Sequence, residues 1–247
     1  MNQKKIIAMI PARIGSQRLK QKNLALLNGK PLISYTIEAA IESKVFSQII
    51  LNSDHEVFGE IAMRHGIEFY HRPDDLGSSL AKVDDVVYDF LNSFKTDYLA
   101  WVNPTSPLQT GEEIKNAVNY FLENKFDSFV TVKEEQVHCI YKDKPINFSI
   151  EEIFGQTQDL FPVSRFVYSI VAWKAKTFME MFEEKKYAFF CGKTGYYPVS
   201  KETAIIIKTK EDLMLAEYIL KSRAKGNGYE VKYDKLANKI SLTGANK

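Results

Sequence analysis

Cysteine is nearly absent: Cys139 and Cys191 are the two thiols in 247 residues, with neither a C-x-x-C spacing nor a His-rich neighbourhood. That excludes a disulfide framework and a structural zinc site, and reads as two reduced thiols. No apolar run approaches the ~18 residues that span a bilayer, and Ile6-Ile7-Ala8-Met9-Ile10 is too short for the apolar region of a signal peptide. The expected compartment is therefore the cytoplasm, with no membrane partner. Neither sign of charge dominates, 33 Lys+Arg standing against 31 Asp+Glu, and no basic stripe is interleaved with aromatics, so no nucleic-acid partner is expected. Histidine is scarce: His55, His65, His71 and His138 lack the spacing to a second His or Cys that a metal needs, and His55 falls in the expected first turn of a helix. The adjacent pair Asp84-Asp85 makes a poor acid/base dyad, because neighbours on a helix do not share a face.

What is present is an ordinary globular composition, 45% hydrophobic and 26% charged. Short apolar runs alternate with helical patterns, the signature of βαβ units around a parallel sheet. The spacing predicts strands over 6–10, ending at Pro11, and over 49–51, 67–70, 98–102 and 128–132. Ile33, Ile37, Ala40 and Ile41 form one helical stripe, Val83, Val86, Val87, Phe90, Leu91 and Phe94 a second, and Ile114, Ala117, Val118, Phe121 and Leu122 a third. Ser53-x-x-Glu56 spells a capping box for a helix after the second strand. From about 134 to 166 the rhythm breaks around Lys144-Pro145, which reads as an inserted lid or dimerisation arm. The parallel pattern is expected to resume with strands over 167–173 and 204–207, and helices around 178–182 and 211–221. Residues 221–247 hold seven Lys/Arg and two Asp/Glu, spread rather than clustered. The expected organisation is one domain over 1–222 and a solvated basic extension over 223–247.

Ligands of such sheets bind beyond the carboxyl ends of the strands. The loop after the first strand runs Pro11-Ala12-Arg13-Ile14-Gly15-Ser16-Gln17-Arg18-Leu19-Lys20-Gln21-Lys22-Asn23. Its Gly-Ser turn and cations suit phosphate oxygens, although it matches neither the P-loop nor the dinucleotide fingerprint. A merely solvated basic loop is the alternative.

Four ordered motifs carry a resemblance. They are Ile10-Pro11-Ala12-Arg13-x-Gly15-Ser16 with Lys22-Asn23 and Gly29-Lys30-Pro31-Leu32-Ile33; Ser53-Asp54; Arg72-Pro73-x-x-Leu76; and Pro104-Thr105-Ser106-Pro107-Leu108-x-Thr110-Gly111. Thr209-x-x-Asp212-Leu213-x-x-Ala216-Glu217 adds a fifth near the end. Over about residues 5–220 the chain resembles the acylneuraminate (CMP-sialic acid) cytidylyltransferases, relatives of the CMP-Kdo synthetases. The resemblance implies a three-layer α/β/α, Rossmann-like fold of the nucleotide-diphospho-sugar transferase kind, and a homodimer through the arm. It implies transfer of CMP from CTP to a 2-keto sugar acid, with Mg2+ as the cofactor. Arg13 and Lys22 would act on the triphosphate. Ala12, Gly15, Ser16, Gln17 and Asn23 would line the nucleotide pocket, and Arg72 with the segment to Ala81 would read the cytosine. Asn103, standing for the family's Gln, would join Thr105, Ser106, Gln109 and Arg165 on the sugar side.

Gln17 and Gln109 replace a Lys and an Arg of the family pattern. The family's two metal-binding aspartates align with Ile206 and Lys208, which strand periodicity would put on one face. Three readings stay open: magnesium carried by the triphosphate and water with help from Glu202 or Asp212, Lys208 replacing part of the metal's charge, or a binding protein without turnover. A nucleotidyltransferase for another base is a further alternative. Where the family has an Asn-Gly-x-x-Tyr strand after the arm, this chain has Tyr168-Ser169-Ile170-Val171-Ala172-Trp173, so the acceptor spans sialic, legionaminic, pseudaminic and Kdo-like acids.

Overall fold

The N-terminal apolar run forms strand β1 (Ile6–Ala12), buried along its whole length. The twofold period of a strand divides it between two cores: Ile6, Ala8, Ile10 and Ala12 enter one, Ile7 and Met9 the other. Helices α1 (Leu32–Ser43), α2 (Val57–Arg64) and α4 (Gly111–Glu123) fill the first through Ile33, Ile37, Phe58, Ile61, Ile114 and Phe121. Helices α3 (Val83–Ser93) and α5 (Ala175–Lys185) cover the second with Val87, Phe90, Phe178 and Phe182. Three layers follow. This computed structural model describes residues 4–224, 226 and 230–234. Of the expected basic extension, 225, 227–229 and 235–247 lie outside the described residues. Among those described, no helix is long and apolar enough to cross a membrane.

The remaining strands are β2 (Gln48–Ser53), β3 (Glu68–His71), β4 (Tyr98–Val102), β5 (Ser128–Glu135), β6 (Val163–Lys174) and β7 (Thr194–Pro198). Their order is β7-β5-β6-β4-β1-β2-β3. The chain winds from β1 through β2 to β3 on one side, then crosses to β4 on the other, so strand order reverses between β1 and β4. A last helix, α6 (Lys210–Ala224), docks on a satellite core of Leu27, Leu32, Leu108, Ile207 and Ala216.

Several expectations are corrected. β1 continues through Pro11 to Ala12, pairing Pro11 with Asn52 and Ala12 with Ser53. Its ladder to β4 has ended by Met9↔Trp101, so the proline meets a single neighbour strand. Ser53 ends β2 and gives its hydroxyl to Asp54 instead of capping α2. His55 lies before that helix, where its Nδ1 accepts the Val57 N–H at 3.1 Å. β6 runs antiparallel to β4 and β5, because the inserted segment folds back as a hairpin that pairs Val163 with Glu135. Residues 204–207 form no strand. They pass through turn and extended loop, with Ile205 and Ile207 in the satellite core, and the Ile207 N–H donates to the Thr105 carbonyl at 2.8 Å. The sheet edge belongs to β7, where Gly195 has no room for a side chain: a Cβ would stand 2.3 Å from the Phe126 ring.

Candidate functional site

The carboxyl ends of β1, β3 and β4 open onto one cavity of about 410 Å3, ordinary for a small-molecule site. It lies at the reversal of strand order, where open α/β sheets bind ligands. The β1–α1 loop contributes Ala12, Arg13, Ser16, Gln17, Arg18, Lys22 and Asn23. Its far end is closed by a two-residue hairpin whose turn, Asn28-Gly29, has φ of +48° and +81°, the left-handed pair that a tight hairpin requires. The segment after β3 contributes Arg72, Ser78, Ala81 and Lys82, and β4 contributes Trp101 with Asn103 and Thr105 beyond it. Lys208 closes the rim.

These groups are held by the fold. Arg72 is buried, its Nη2 donating to the Ala12 carbonyl at 3.0 Å, and burial lowers its pKa while Asp54 opposes the shift. Its Nε and the Oδ1 of buried Asn23 have no hydrogen-bond partner. Two orphaned polar atoms on residues of one cavity are what a site made for a polar ligand leaves behind. Arg13 Nη1 reaches the Ser78 carbonyl at 3.4 Å and so links the first loop to the segment after β3. Asn103 Oδ1 accepts from the Thr105 N–H at 3.1 Å and hydroxyl at 2.9 Å, a turn that shapes the loop after β4.

Lys22 is the most perturbed cation. Its Nζ donates to the Ile207 carbonyl at 3.0 Å. Burial, then repulsion from Arg18, Arg13 and Lys208, lowers its pKa to about 8, with Asp212 opposing. A cluster whose members push against one another at neutral pH is poised for a polyanion.

Other residues singled out in the sequence stand apart from the cavity lining. Gly15 is exposed on the loop, with nothing within 4 Å of where its Cβ would be. Ser106 is buried with an unpartnered hydroxyl, and Gln109 turns inward so that its Nε2 donates to Ser169 Oγ at 3.0 Å. Arg165 sits on the hairpin, 3.3 Å from Glu135. Ile206 is not in the lining and, with no strand there, does not share a strand face with Lys208. Of the lining residues not named singly from the sequence, Arg18 and Ser78 lie within the basic loop and the 72–81 segment already singled out, whereas no motif pointed to Lys82, the residue before α3.

The donor set does not fit a magnesium ion held by the protein. Among the described residues, six cations and no Asp or Glu line the cavity. Among the described residues no group of three or more His, Cys, Asp or Glu could hold a metal. Magnesium asks for hard oxygen donors, with one or two carboxylates beside substrate phosphates. Glu202 is paired with Arg223, and Asp212 Oδ2 accepts the Lys208 and Thr209 N–H groups, each at 2.8 Å.

The family model described as Cytidylyltransferase matches residues 7–148. The N-acylneuraminate cytidylyltransferase of Streptococcus agalactiae serotype III (strain NEM316) is 29% identical over 95% of this chain and 59% of its own. This chain thus spans about three fifths of that relative's length. The CMP-N,N'-diacetyllegionaminic acid synthase of Legionella pneumophila subsp. pneumophila (strain Philadelphia 1 / ATCC 33152 / DSM 7513) is 38% identical over 46% of this chain and 52% of its own. The solved CMP:2-keto-3-deoxy-manno-octonic acid synthetase complexed with CTP shares the fold, with a TM-score of 0.69 at 13% identity over 89% of this chain and 99% of its own. With the family model covering more than half of its length, the chain belongs to the cytidylyltransferase family.

Proposed function

We propose that this chain transfers CMP from CTP to the anomeric hydroxyl of a 2-keto sugar acid and releases pyrophosphate. The observation that carries this reading is the cation-lined cavity at the β1/β4 reversal, in a chain whose relatives are named for N-acylneuraminate and N,N'-diacetyllegionaminic acid. The acceptor oxygen attacks the α-phosphorus, the bond from that phosphorus to the bridging oxygen of the leaving group breaks, and the hydroxyl proton passes to solvent. Such transfer depends on alignment and charge neutralisation more than on covalent help. Arg13, Arg18 and Lys22 neutralise the triphosphate, while Ala12, Ser16, Gln17 and Asn23 contact the nucleotide. Gly15 leaves the loop backbone open to a phosphate. Arg72 and the stretch to Ala81 face the base. Asn103 and Thr105 border the acceptor, with Ser106, Gln109 and Arg165 as its outer support. No step needs a metal ion ligated by side chains.

The domain spans 1–222 and works in the cytoplasm, where CTP is available. It pairs as a homodimer through the arm at about 134–166, whose Ile150, Ile153, Phe154 and Phe161 are exposed apolar side chains.

Pyrophosphate release from each of the four nucleoside triphosphates, across sialic, legionaminic, pseudaminic and Kdo-like acids, tests this reading. Release with CTP and one acid is the expected outcome. Binding of CTP without release from any pair would instead favour a nucleotide-binding protein, and release with another base would reassign the nucleotide.

A further inference from the structure

The sharpest disagreement in the molecule is between a site suited to a nucleoside triphosphate and the absence of carboxylates from its lining. We infer that Lys208 is a fixed phosphate-binding cation acting beside Lys22, and that the two let the triphosphate bind without a divalent ion ligated by the protein. The inference rests on the cytidylyltransferase reading for the identity of the nucleotide.

Three observations support it. First, the backbone that carries Lys208 is fastened on both sides. Before it, Ile207 is fully buried in the satellite core, its N–H donates to the Thr105 carbonyl at 2.8 Å, and its own carbonyl accepts Lys22 Nζ at 3.0 Å. After it, Asp212 Oδ2 accepts the Lys208 and Thr209 N–H groups, each at 2.8 Å. A lysine on such a segment presents its charge from a constant origin. Second, Lys208 lines the same cavity as Lys22, Arg13 and Arg18, and it is one of the charges that repel Lys22. A fold that gathers like charges this closely gains when a polyanion enters, because each repulsion becomes a shared attraction. Third, the nearby acids stand outside the cavity lining and are engaged elsewhere: Asp212 Oδ2 accepts backbone N–H groups, Asp54 Oδ1 accepts the Ile14 N–H and the Ser53 hydroxyl, and Glu202 pairs with Arg223. A metal ion meeting this wall would find ammonium and guanidinium groups where it needs oxygen. An ammonium carried on that held backbone supplies positive charge with no ligand set at all.

The experiment measures CTP and inorganic tripolyphosphate binding by calorimetry, in excess EDTA and in millimolar magnesium. It uses the full chain and its Lys208→Ala, Lys208→Arg and Lys208→Asp variants, with pyrophosphate release recorded alongside. In the native chain CTP affinity in EDTA is expected to stay within about threefold of its value in magnesium, a small step on the affinity scale. Lys208→Ala is expected to weaken binding in EDTA by about tenfold, Lys208→Arg to retain it, and Lys208→Asp to bind only when magnesium is supplied. Melting temperatures should agree among the variants, since the Lys208 side chain is exposed. CTP binding that requires magnesium in the native chain, with Lys208→Ala indistinguishable from it, overturns the inference and leaves the cytidylyltransferase reading standing. If neither CTP nor tripolyphosphate binds in either condition, both fall. If tripolyphosphate binds without magnesium but CTP does not, the cation cluster survives and the assignment of the nucleotide is overturned.

Discussion

Lys22 carries its charge at neutral pH against the pull of its surroundings, which puts its loss of a proton near pH 8. Two consequences have opposite signs. The ammonium favours an anion, so CTP affinity should fall as pH rises through about 8, and binding near that pH should take up protons. Calorimetry in buffers of different ionisation enthalpy measures both, and Lys22→Met should abolish the uptake. In the free protein the folded Lys22 releases its proton before the unfolded one, whose ordinary value is 10.5. Between about 8 and 10.5 the unfolded chain binds more protons, so this group's contribution to stability rises with pH there. Urea unfolding at pH 7 and 9 should show that gain in the native chain and lose it in Lys22→Met. Gly15 gives a cleaner test of the loop. Nothing lies within 4 Å of its missing Cβ, so the stability of Gly15→Ala should change by no more than about 0.5 kcal/mol. If phosphate oxygens approach the bare backbone there, CTP affinity should fall by about tenfold, or ~1.4 kcal/mol. At this scale the basic loop was readable because its cations follow a strand end, whereas the inward turn of Gln109 toward Ser169 was not, since one amide reads the same whether it faces a ligand or a buried hydroxyl.

Among the elements, amphipathic helices were the most legible. Val86, Val87, Phe90 and Leu91 mark α3 in the sequence and bury as a group. The run at 204–207 misled because β-branched residues suit a strand and a packed loop equally well, and only the satellite core decides between them. β7 was hidden for the converse reason, since Thr-Gly-Tyr-Tyr-Pro has no apolar alternation and is fixed by Gly195 lying against Phe126. The loop that holds Lys208 depends on the start of α6. There Thr209 Oγ1 accepts the Asp212 N–H at 3.4 Å while the Asp212 carboxylate accepts two backbone donors. Burial pulls that carboxyl upward, but those N–H groups, together with the Thr209 hydroxyl and the Lys208 charge, outweigh it and hold Asp212 below the usual carboxylate range. Asp212 is the third residue of α6 and bonds back across the cap at Thr209, so Asp212→Ala should cost about 1 kcal/mol in lost backbone hydrogen bonds, read by thermal unfolding, and should weaken CTP binding in the same direction as Lys208→Ala.

At the scale of the molecule the hairpin between β5 and β6 sets both the antiparallel course of β6 in the seven-stranded sheet and the place of the arm. Ile153 is 98% exposed and Phe161 87%, on the segment that joins β5 to β6. If this face pairs two copies, Ile153→Asp with Phe161→Asp should convert a dimer to a monomer in sedimentation or light scattering without lowering the melting temperature of the isolated protomer. A native chain that sediments as a monomer would refute the pairing.

Apolar periodicity in the sequence determined the α/β class, the positions of the main helices and the central strands, because burial on one face leaves its period in the chain. Short ordered motifs did the same for the basic loop that lines the cavity. Only the tertiary structure decided that β6 runs antiparallel, that β7 takes the sheet edge, and that of Ile206 and Lys208 the lysine alone lines the cavity. Those outcomes depend on contacts between residues far apart in the chain: Glu135 with Val163, Phe126 with Gly195, and Lys22 with Ile207.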